Sequence, residues 1–413
     1  MEADIPEHSF DLVVYGATGF TGRQCAAWLA EHAPSALRWT LAGRREDALR
    51  QVAADVGLDA ELIVADSSDL DSVDAMVRRT RCVLSTAGPF SKYGTPVVDA
   101  CVRHKAHYTD ITGESPWVRT LIDAHHERAK ADGTKIVPMC GFDSVPSDLG
   151  AWFVVQQIRE RMQQDTRRVR AAFSTIGGGL NGGTLASALD MPQRYAMKEL
   201  ADPYSLVPGK TTAEQWSENK DPSAAVYDEH RDRWMMPFVM GPVNTRVVRR
   251  SEWLFRQNND PYGPGFTYQE YLDVRGGSKF RAWSRTAALG AAMGLLTGGV
   301  GRALAKALGP KPGQGPSEKQ MEAGSFRVHF WGEGADGRTL TAAMRSPGDA
   351  GNRSTVRFVC CAALTLLDEP HPTPGTGGLL TPAVALGQPY LTRLQAHGVE
   401  LTATSGQDGH HSG

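Results

Sequence analysis

FDLVVYGATGFTG, residues 10–22, is an apolar run of strand character that ends in glycines at positions 16, 19 and 22 and leads into a helix. A strand that stops on Gly16 turns tightly because glycine carries no Cβ. Gly19 lets the backbone approach a pyrophosphate, and Gly22 lets the following helix pack closely on the sheet. The amides at that helix start, with the macrodipole behind them, attract phosphate. Thr18, Phe20 and Thr21 lie between the glycines and are assigned with them to the cofactor loop. Glycine accounts for 44 of 413 residues, so the spacing alone is a weak signal. A strand before it and a helix after it make it specific for dinucleotide binding.

From this loop outward, strand and helix signals alternate with short connections over roughly 140 residues, the pattern of a parallel sheet covered on both faces. Strands are predicted at 10–16, 39–43, 61–66, 82–88, 107–113 and 135–142. Helices are predicted at 22–32, 46–56, 69–79 with Asp69 as cap, 95–104, 115–132 and from Ser147 to 161; Ser115-Pro116 supplies a capping hydroxyl and a proline for the fifth. The fold class is therefore α/β, a doubly wound Rossmann-type parallel sheet over 1–148. The remainder predicts an inserted α+β domain over 149–350, carrying a strand at 169–175, the glycine cluster IGGGLNGGT and a hairpin at 325–346 around Asp336-Gly337. Residues 309–317 read as an exposed loop. Amphipathic helices at 355–368 and 382–397, within a segment 351–413, are expected to return to the first domain, ahead of a frayed tail at 405–413.

Bulk composition excludes several functions. The formal net charge is −2 with no basic tail, so no nucleic-acid partner is expected. Six cysteines (Cys25, Cys82, Cys101, Cys140, Cys360 and Cys361) form no C-x-x-C pair and read as reduced core thiols of a cytoplasmic protein. The acidic start MEADIPEHSF has no signal-peptide character. The histidines at 104, 107, 125 and 126 lack a supporting ligand set, so no metal is expected. There is no G-x-S-x-G elbow and no P-loop lysine.

The second strand ends in Arg44-Arg45, where a free ribose 2′-hydroxyl would be met by Asp or Glu and a 2′-phosphate by cationic donors, so the cofactor reads as NADP(H). The alternative is a pair of arginines that only opens a solvated helix. Asp66 at the end of strand three is a candidate acceptor for the adenine amino group, or a plain strand terminator. Ser85, Thr86, Ala87, Gly88, Pro89 and Phe90 follow strand four, on the edge where open α/β sheets bind ligands, and are assigned to the nicotinamide half of the cofactor. The next strand ends carry Tyr108, Asp110, Thr112, Gly113 and Glu114, then Cys140, Gly141, Phe142, Asp143 and Ser144. Asp110 and Asp143 read more simply as loop holders or helix caps. The uncharged stretch 286–301, between Arg285 and Arg302, repeats glycine at 290, 294 and 298. It is too short to span a membrane, and reads as a tightly packed helix or as a surface helix that touches lipid.

With these residues placed, the chain resembles the saccharopine dehydrogenase family, in its trans-acting enoyl reductase branch. The resemblance rests on VVYGATGFTG (13–22), LAGRR (41–45), STAGPFSKYG (85–94), HYTDITGE (107–114) and CGFDSVPSDLG (140–150), and further along on GGLNGGTLAS (178–187), PVNTRVVRRS (242–251) and GLLTPAVALG (378–387). It implies an NADPH-dependent oxidoreductase that reduces a small or carrier-bound lipid substrate in glycolipid synthesis. Animal relatives imply contact with membranes or lipid droplets, here through 286–301, and a homodimer is a further expectation. Tyr108 and Ser144, or backbone amides near Gly141, are the candidate donors to an enolate oxygen, and GGLNGGT is a candidate lining of the substrate passage. The runner-up is saccharopine-reductase chemistry on a dicarboxylate, with Arg246, Arg249 and Arg250 as its ligands; the alternative is that these arginines, which follow a strand-like run, are only solvated. A third reading is a non-catalytic protein of lipid surfaces that keeps a nucleotide site.

Overall fold

The computed structural model describes residues 8–405 except 178–180, 230–231, 275, 277, 312 and 370; the expected tail beyond Ser405 lies outside the described residues. The first part of the chain runs β1 (Phe10–Tyr15), α1 (Phe20–His32), β2 (Trp39–Gly43), α2 (Glu46–Val56), β3 (Ile63–Val64), α3 (Leu70–Val77), β4 (Thr80–Ser85), α4 (Phe90–Tyr93), α5 (Thr95–His104), β5 (His107–Asp110), α6 (Ser115–Asp132) and β6 (Lys135–Val137). It continues with α7 (Val145–Met162), β7 (Thr166–Ile176), α8 (Gly182–Arg194), α9 (Met197–Ala201), α10 (Ala213–Asn219), β8 (Val226–Asp228), β9 (Arg233–Pro237), α11 (Gly241–Gln257) and β10 (Thr267–Asp273). Then come α12 (Lys279–Thr297), α13 (Gly299–Leu308), α14 (Glu318–Glu322), β11 (Ser325–Gly334), β12 (Thr339–Pro347), a π turn (Ala350–Ser354), α15 (Thr355–Leu366), β13 (Gly378–Leu379), α16 (Pro382–Ala396) and β14 (Glu400–Ser405).

These elements form two compact units, 1–141 with 355–380 and 142–354 with 381–413. The first holds a parallel sheet in the order β13-β6-β5-β4-β1-β2-β3. The strand order reverses between β1 and β4, which makes that pair the switch point of a doubly wound fold. Leu12, Val13, Val14, Val83 and Leu84 are fully buried at its centre. Both faces of these strands are covered, which is why they read as unbroken apolar runs. The second unit holds a mixed sheet, β14-β12-β11-β7-β10-β9-β8, in which only β7 and β10 pair in parallel. Its hairpin β11–β12 turns at Asp336-Gly337 as expected: Asp336 Oδ1 accepts from the Arg338 amide at 3.0 Å, and Gly337 takes φ +84°. All six cysteines are buried and none is in a disulfide.

Several expectations change. The strands predicted at 61–66, 82–88, 107–113 and 135–142 are shorter in fact, because their last residues leave the sheet to form loops. Ser147 does not cap α7; the helix begins at Val145, and the Ser147 hydroxyl donates to Glu270 Oε2 at 2.7 Å. The division between units falls at Gly141, ahead of α7 rather than after residue 148. Of the two C-terminal helices only α15 joins the first unit, where it packs on α1, β4 and β5. It is not amphipathic, since every residue but Arg357 is buried. α16 belongs to the second unit, because the buried carboxylate of Asp148 accepts the Ala383 amide at 2.8 Å in the first turn of α16. β14 went unpredicted although ELTATS alternates polar and apolar residues in the period of a half-buried strand.

The stretch 286–301 is not a tightly packed helix. It lies in α12 and α13, which break at Gly298, and a Cβ built on Gly290 or Gly294 would meet nothing within 4 Å. No helix among the described residues is long and apolar enough to cross a membrane.

Candidate cofactor and active site

The three glycines of the first loop have separate steric duties. Gly16 takes φ +80°, and a Cβ there would lie 2.9 Å from the Ala87 nitrogen. A Cβ on Gly22 would lie 2.4 Å from the Gly16 carbonyl oxygen, so the first turn of α1 approaches the loop as only glycine allows. Gly19 is the residue before α1 and gives no side-chain cap. The amides of Phe20, Thr21 and Gly22 therefore have no acceptor within the helix and stand ready for an anion. Thr86 ties the β4 exit to this loop: its Oγ1 donates to the carbonyls of Tyr15 at 3.2 Å and Gly16 at 3.1 Å. Ala87 closes against Gly16, while Thr18 and Phe20 remain half exposed and Thr21 is buried.

Beyond Thr86 the chain passes through Gly88 and a cis Gly88–Pro89 bond into α4, a short helix absent from the sequence-based expectation. Glu114 shapes this corner. Its buried carboxylate accepts the amides of Phe90 and Ser91, each at 2.9 Å, so it caps α4 by charge and hydrogen bond together. The signal was present as an acid after a strand end, but nothing local says which amides it meets.

Arg44 and Arg45 are both exposed where β2 runs into α2. Asp66 stands at the neighbouring strand end. Its carboxyl is held below its ordinary value first by the Ser68 amide and hydroxyl, which donate to Oδ1 at 2.9 and 2.8 Å, and also by the charge of Arg44. Asp66 thus closes its own turn with one oxygen. Two exposed guanidinium groups beside a loop of free amides fit a cofactor carrying a 2′-phosphate. Replacing both arginines by serine is expected to weaken NADPH binding about 100-fold or more while leaving NADH binding nearly unchanged, since charge-assisted hydrogen bonds contribute about 1.5–3 kcal/mol each. Fluorescence titration with both cofactors measures it; an equal loss for NADH would place the arginines elsewhere.

Tyr108 lies in β5. The ring is fully buried, its hydroxyl donates to Asp110 Oδ2 at 2.9 Å, and burial pushes the phenol well above its ordinary value. With Ser85 buried beside it, Tyr108 supports the strand ends. Asp110 is the hub of this support: Oδ1 also accepts the amides of Thr112 at 2.9 Å and Met139 at 3.0 Å. Burial pushes its carboxyl from 3.8 up to about 7. A carboxyl raised in the folded state keeps a proton that the unfolded chain has released, so its contribution to stability is lost as pH rises from about 4 to about 7. Urea midpoints of the wild type are expected to fall across that window more steeply than those of Asp110→Asn, by at most about 1.4 kcal/mol per pH unit.

Ser144 and Asp143 open the second unit. Ser144 precedes α7, is fully buried, and its hydroxyl has no hydrogen-bond partner among the described residues. Asp143 neither caps a helix nor holds a loop, contrary to the simpler reading. It is half buried and without a hydrogen-bond partner among the described residues, and burial pushes its carboxyl up to about 6.

Arg246, Arg249 and Arg250 are not solvated and do not wait for a substrate. Arg246 pairs with Asp221 and donates to the Ala201 carbonyl at 2.9 Å. Arg249 donates to the carbonyls of Pro203 at 2.9 Å and Tyr268 at 3.1 Å, and Arg250 to that of Leu206 at 3.3 Å while lying over Trp253. All three guanidinium groups bind the 200–206 segment to α11. In the glycine cluster, Asn181 caps α8 through the Thr184 amide at 3.0 Å and donates to Asn352 at 2.9 Å; residues 178–180 lie outside the described residues. His104 and His125 face Asp74 and Asp99, while His107 and His126 accept the Lys135 and Leu379 amides.

Residues 12–137 match the saccharopine dehydrogenase NADP-binding domain. A Mycobacterium tuberculosis protein described as a putative trans-acting enoyl reductase is 34% identical, over 96% of this chain and 97% of its own. The chain belongs to the saccharopine dehydrogenase family, in its trans-acting enoyl reductase branch. A further member, the trans-acting enoyl reductase of Mycobacterium leprae, is 34% identical over 96% and 98% of the two chains. Among solved structures the family fold is shared with the saccharopine dehydrogenase (L-Glu forming) of Saccharomyces cerevisiae, at TM-score 0.53 and 13% identity over 96% and 100% of the chains. The homospermidine synthase of Legionella pneumophila, solved with NAD, matches at TM-score 0.56 and 10% identity over 96% and 91%. This member of the family is an NAD(P)-dependent oxidoreductase whose cofactor is NADP(H). The cradle that a Cβ at Gly16 or Gly22 would fill, the free amides of α1 and the exposed arginine pair fit that cofactor.

Proposed function

We propose that this oxidoreductase is a trans-acting enoyl reductase of lipid or glycolipid metabolism, which saturates the α,β double bond of an apolar, carrier-bound thioester. One observation carries the choice over amino-acid chemistry: Arg246, Arg249 and Arg250, the cluster suited to a dicarboxylate, are consumed inside the second unit. The full-length likeness to proteins named as trans-acting enoyl reductases supports the same reading. NADPH, when bound, supplies the hydride. The chain's own contribution is a donor to the thioester oxygen, for which the unpartnered Ser144 hydroxyl is assigned, and a proton for the α-carbon, for which Asp143 is assigned. The glycine cluster around Asn181 is assigned to the passage for the apolar chain. Six cysteines without a disulfide support a cytoplasmic setting.

The test is NADPH oxidation followed against enoyl thioesters on a carrier protein and, in parallel, against imines of amino-acid semialdehydes. Turnover of the thioesters alone supports the proposal. Turnover of the imines alone would replace it with saccharopine-reductase chemistry, and absence of both with a non-catalytic nucleotide-binding role.

A further inference from the structure

We propose that Glu270 is a positioning residue: as a neutral carboxylic acid, closed into a cluster with Ser147, Asn244 and Tyr268, it holds the first turn of α7 and so sets Ser144 and Asp143 in place. The inference rests on the roles assigned above to Asp143 and Ser144, and it concerns the second unit alone. Glu270 lies in β10 and is buried, as are its three partners. Ser147 Oγ of α7 donates to Oε2 at 2.7 Å, and Tyr268 Oη, two residues back along β10, donates to the same oxygen at 3.0 Å. Asn244 Nδ2 of α11 donates to Oε1 at 2.7 Å. The Asp148 amide donates to the Ser144 carbonyl at 2.9 Å, so the turn gripped at Ser147 is the turn that ends on Ser144, with Asp143 one residue before. Asp148 is gripped separately, by the Ser251 hydroxyl and the Ala383 amide.

The surroundings decide the protonation state. Among the described residues Glu270 forms no ion pair; two hydroxyls and an amide are its partners. Burying a carboxylate without a cation costs more than neutral hydrogen bonds return, so the group keeps its proton. Burial pushes the carboxyl from 4.5 up to about 8, against the three donors, and the charge of Asp221, ahead of β8, raises it further. Arg249 of α11 feels Glu270, but its guanidinium donates to the carbonyls of Pro203 and Tyr268. Asp148 of α7 is itself pushed up to about 7 by burial, Tyr268 is raised well above its ordinary value, and β7 opposes Glu270 with Ala171. The acid proton has acceptors at hand. Both hydroxyls accept as well as donate, and Asn244 Oδ1 is buried without a hydrogen-bond partner among the described residues. The folded chain thus holds a proton that the unfolded chain releases, and the contribution of Glu270 to stability is lost as pH rises from about 4.5 to about 8. Once ionised, the carboxyl is an unpaired charge under α7 and its grip on the first turn weakens.

Three variants of the full chain test the inference. Glu270→Gln keeps a neutral group of the same shape, Glu270→Ala empties the centre of the cluster, and Ser147→Ala cuts α7 from it. The infrared difference between wild type and Glu270→Gln near neutral pH is expected to show the carbonyl stretch of a protonated carboxyl, fading as pH passes about 8. Hydrogen exchange over the first turn of α7 is expected to rise about tenfold or more in Glu270→Ala and Ser147→Ala and to stay at the wild-type rate in Glu270→Gln. On an enoyl thioester, the two alanine variants are expected to lose about tenfold or more in kcat at unchanged NADPH affinity, because small misplacements of reacting groups are costly. Glu270→Gln should keep kcat within about twofold and lose the wild-type fall in rate above about 8, while the limb near 6 that belongs to Asp143 remains. A spectrum without the band, a glutamine variant as impaired as the alanine variant, or wild-type exchange in both alanine variants would overturn the proposal. Should Glu270→Ala misfold, Ser147→Ala and Glu270→Gln decide by the same readouts. A wild type that turns over no thioester removes the enoyl reductase reading, whereas the infrared band and the exchange rates still decide the role of Glu270.

Discussion

Gly22→Ala is expected to abolish useful NADPH binding, weakening it by about two orders of magnitude or more. The new Cβ would lie 2.4 Å from the Gly16 carbonyl oxygen and 2.8 Å from Ala17 Cα, and both are backbone atoms of the phosphate loop. A side chain could rotate away; a backbone already fastened by Thr86 on one side and Ala42 on the other cannot do so cheaply. The loop must move off the first turn of α1, and the amides of Phe20 and Thr21 then no longer converge with it. Losing two charge-assisted hydrogen bonds of about 1.5–3 kcal/mol each gives a hundredfold or greater loss. Overpacking adds about 1–3 kcal/mol of destabilisation. Gly290→Ala is the matched control: it meets open space on an exposed helix and should leave binding intact while adding up to about 1 kcal/mol of helix propensity. Calorimetric titration of both variants decides, and equal affinities would remove Gly22 from its assigned role.

Asp143→Asn is expected to lower kcat about 10²- to 10⁴-fold on an enoyl thioester, with little change in NADPH affinity. A carboxyl raised to about 6 by burial is protonated in part near neutrality and has no neighbouring donor to hold it as the anion. The wild-type rate should accordingly fall as pH rises through about 6, and the asparagine variant should lose that limb. A variant with full kcat, or with the limb intact, would move the proton donor elsewhere. Ser144→Ala separates the two positions, since removing a donor to an oxyanion lowers kcat without shifting the pH profile.

The two variants differ in how visible their residues were beforehand. Gly22 could be assigned from sequence because its partners, Gly16 and Ala17, are near neighbours in the chain and the spacing itself encodes the turn. Asp143 could not, because having no hydrogen-bond partner among the described residues is a property of everything packed around a carboxyl. The same holds for Asp110, which reads as a strand-end acid but clamps Tyr108, Thr112 and Met139. Arg246, Arg249 and Arg250 read from sequence as following a strand-like run, as solvated groups or as an anion site, whereas they lie in α11 and their acceptors include carbonyls about 20 to 50 residues distant.

By itself the sequence determined the doubly wound first unit, its alternation of strands and helices up to β6, the glycine loop and the arginine pair that opens α2. Each of these follows from local chemistry: glycine spacing, apolar runs, and charge at a strand end. Only the tertiary structure decided that α15 is buried on every side, that α16 belongs to the second unit through Asp148, that the arginine cluster is internal, and that α12 presents its apolar side to solvent. Periodicity states which face of a helix is apolar, while the surface that covers that face, or leaves it bare, is set by segments far away in the chain.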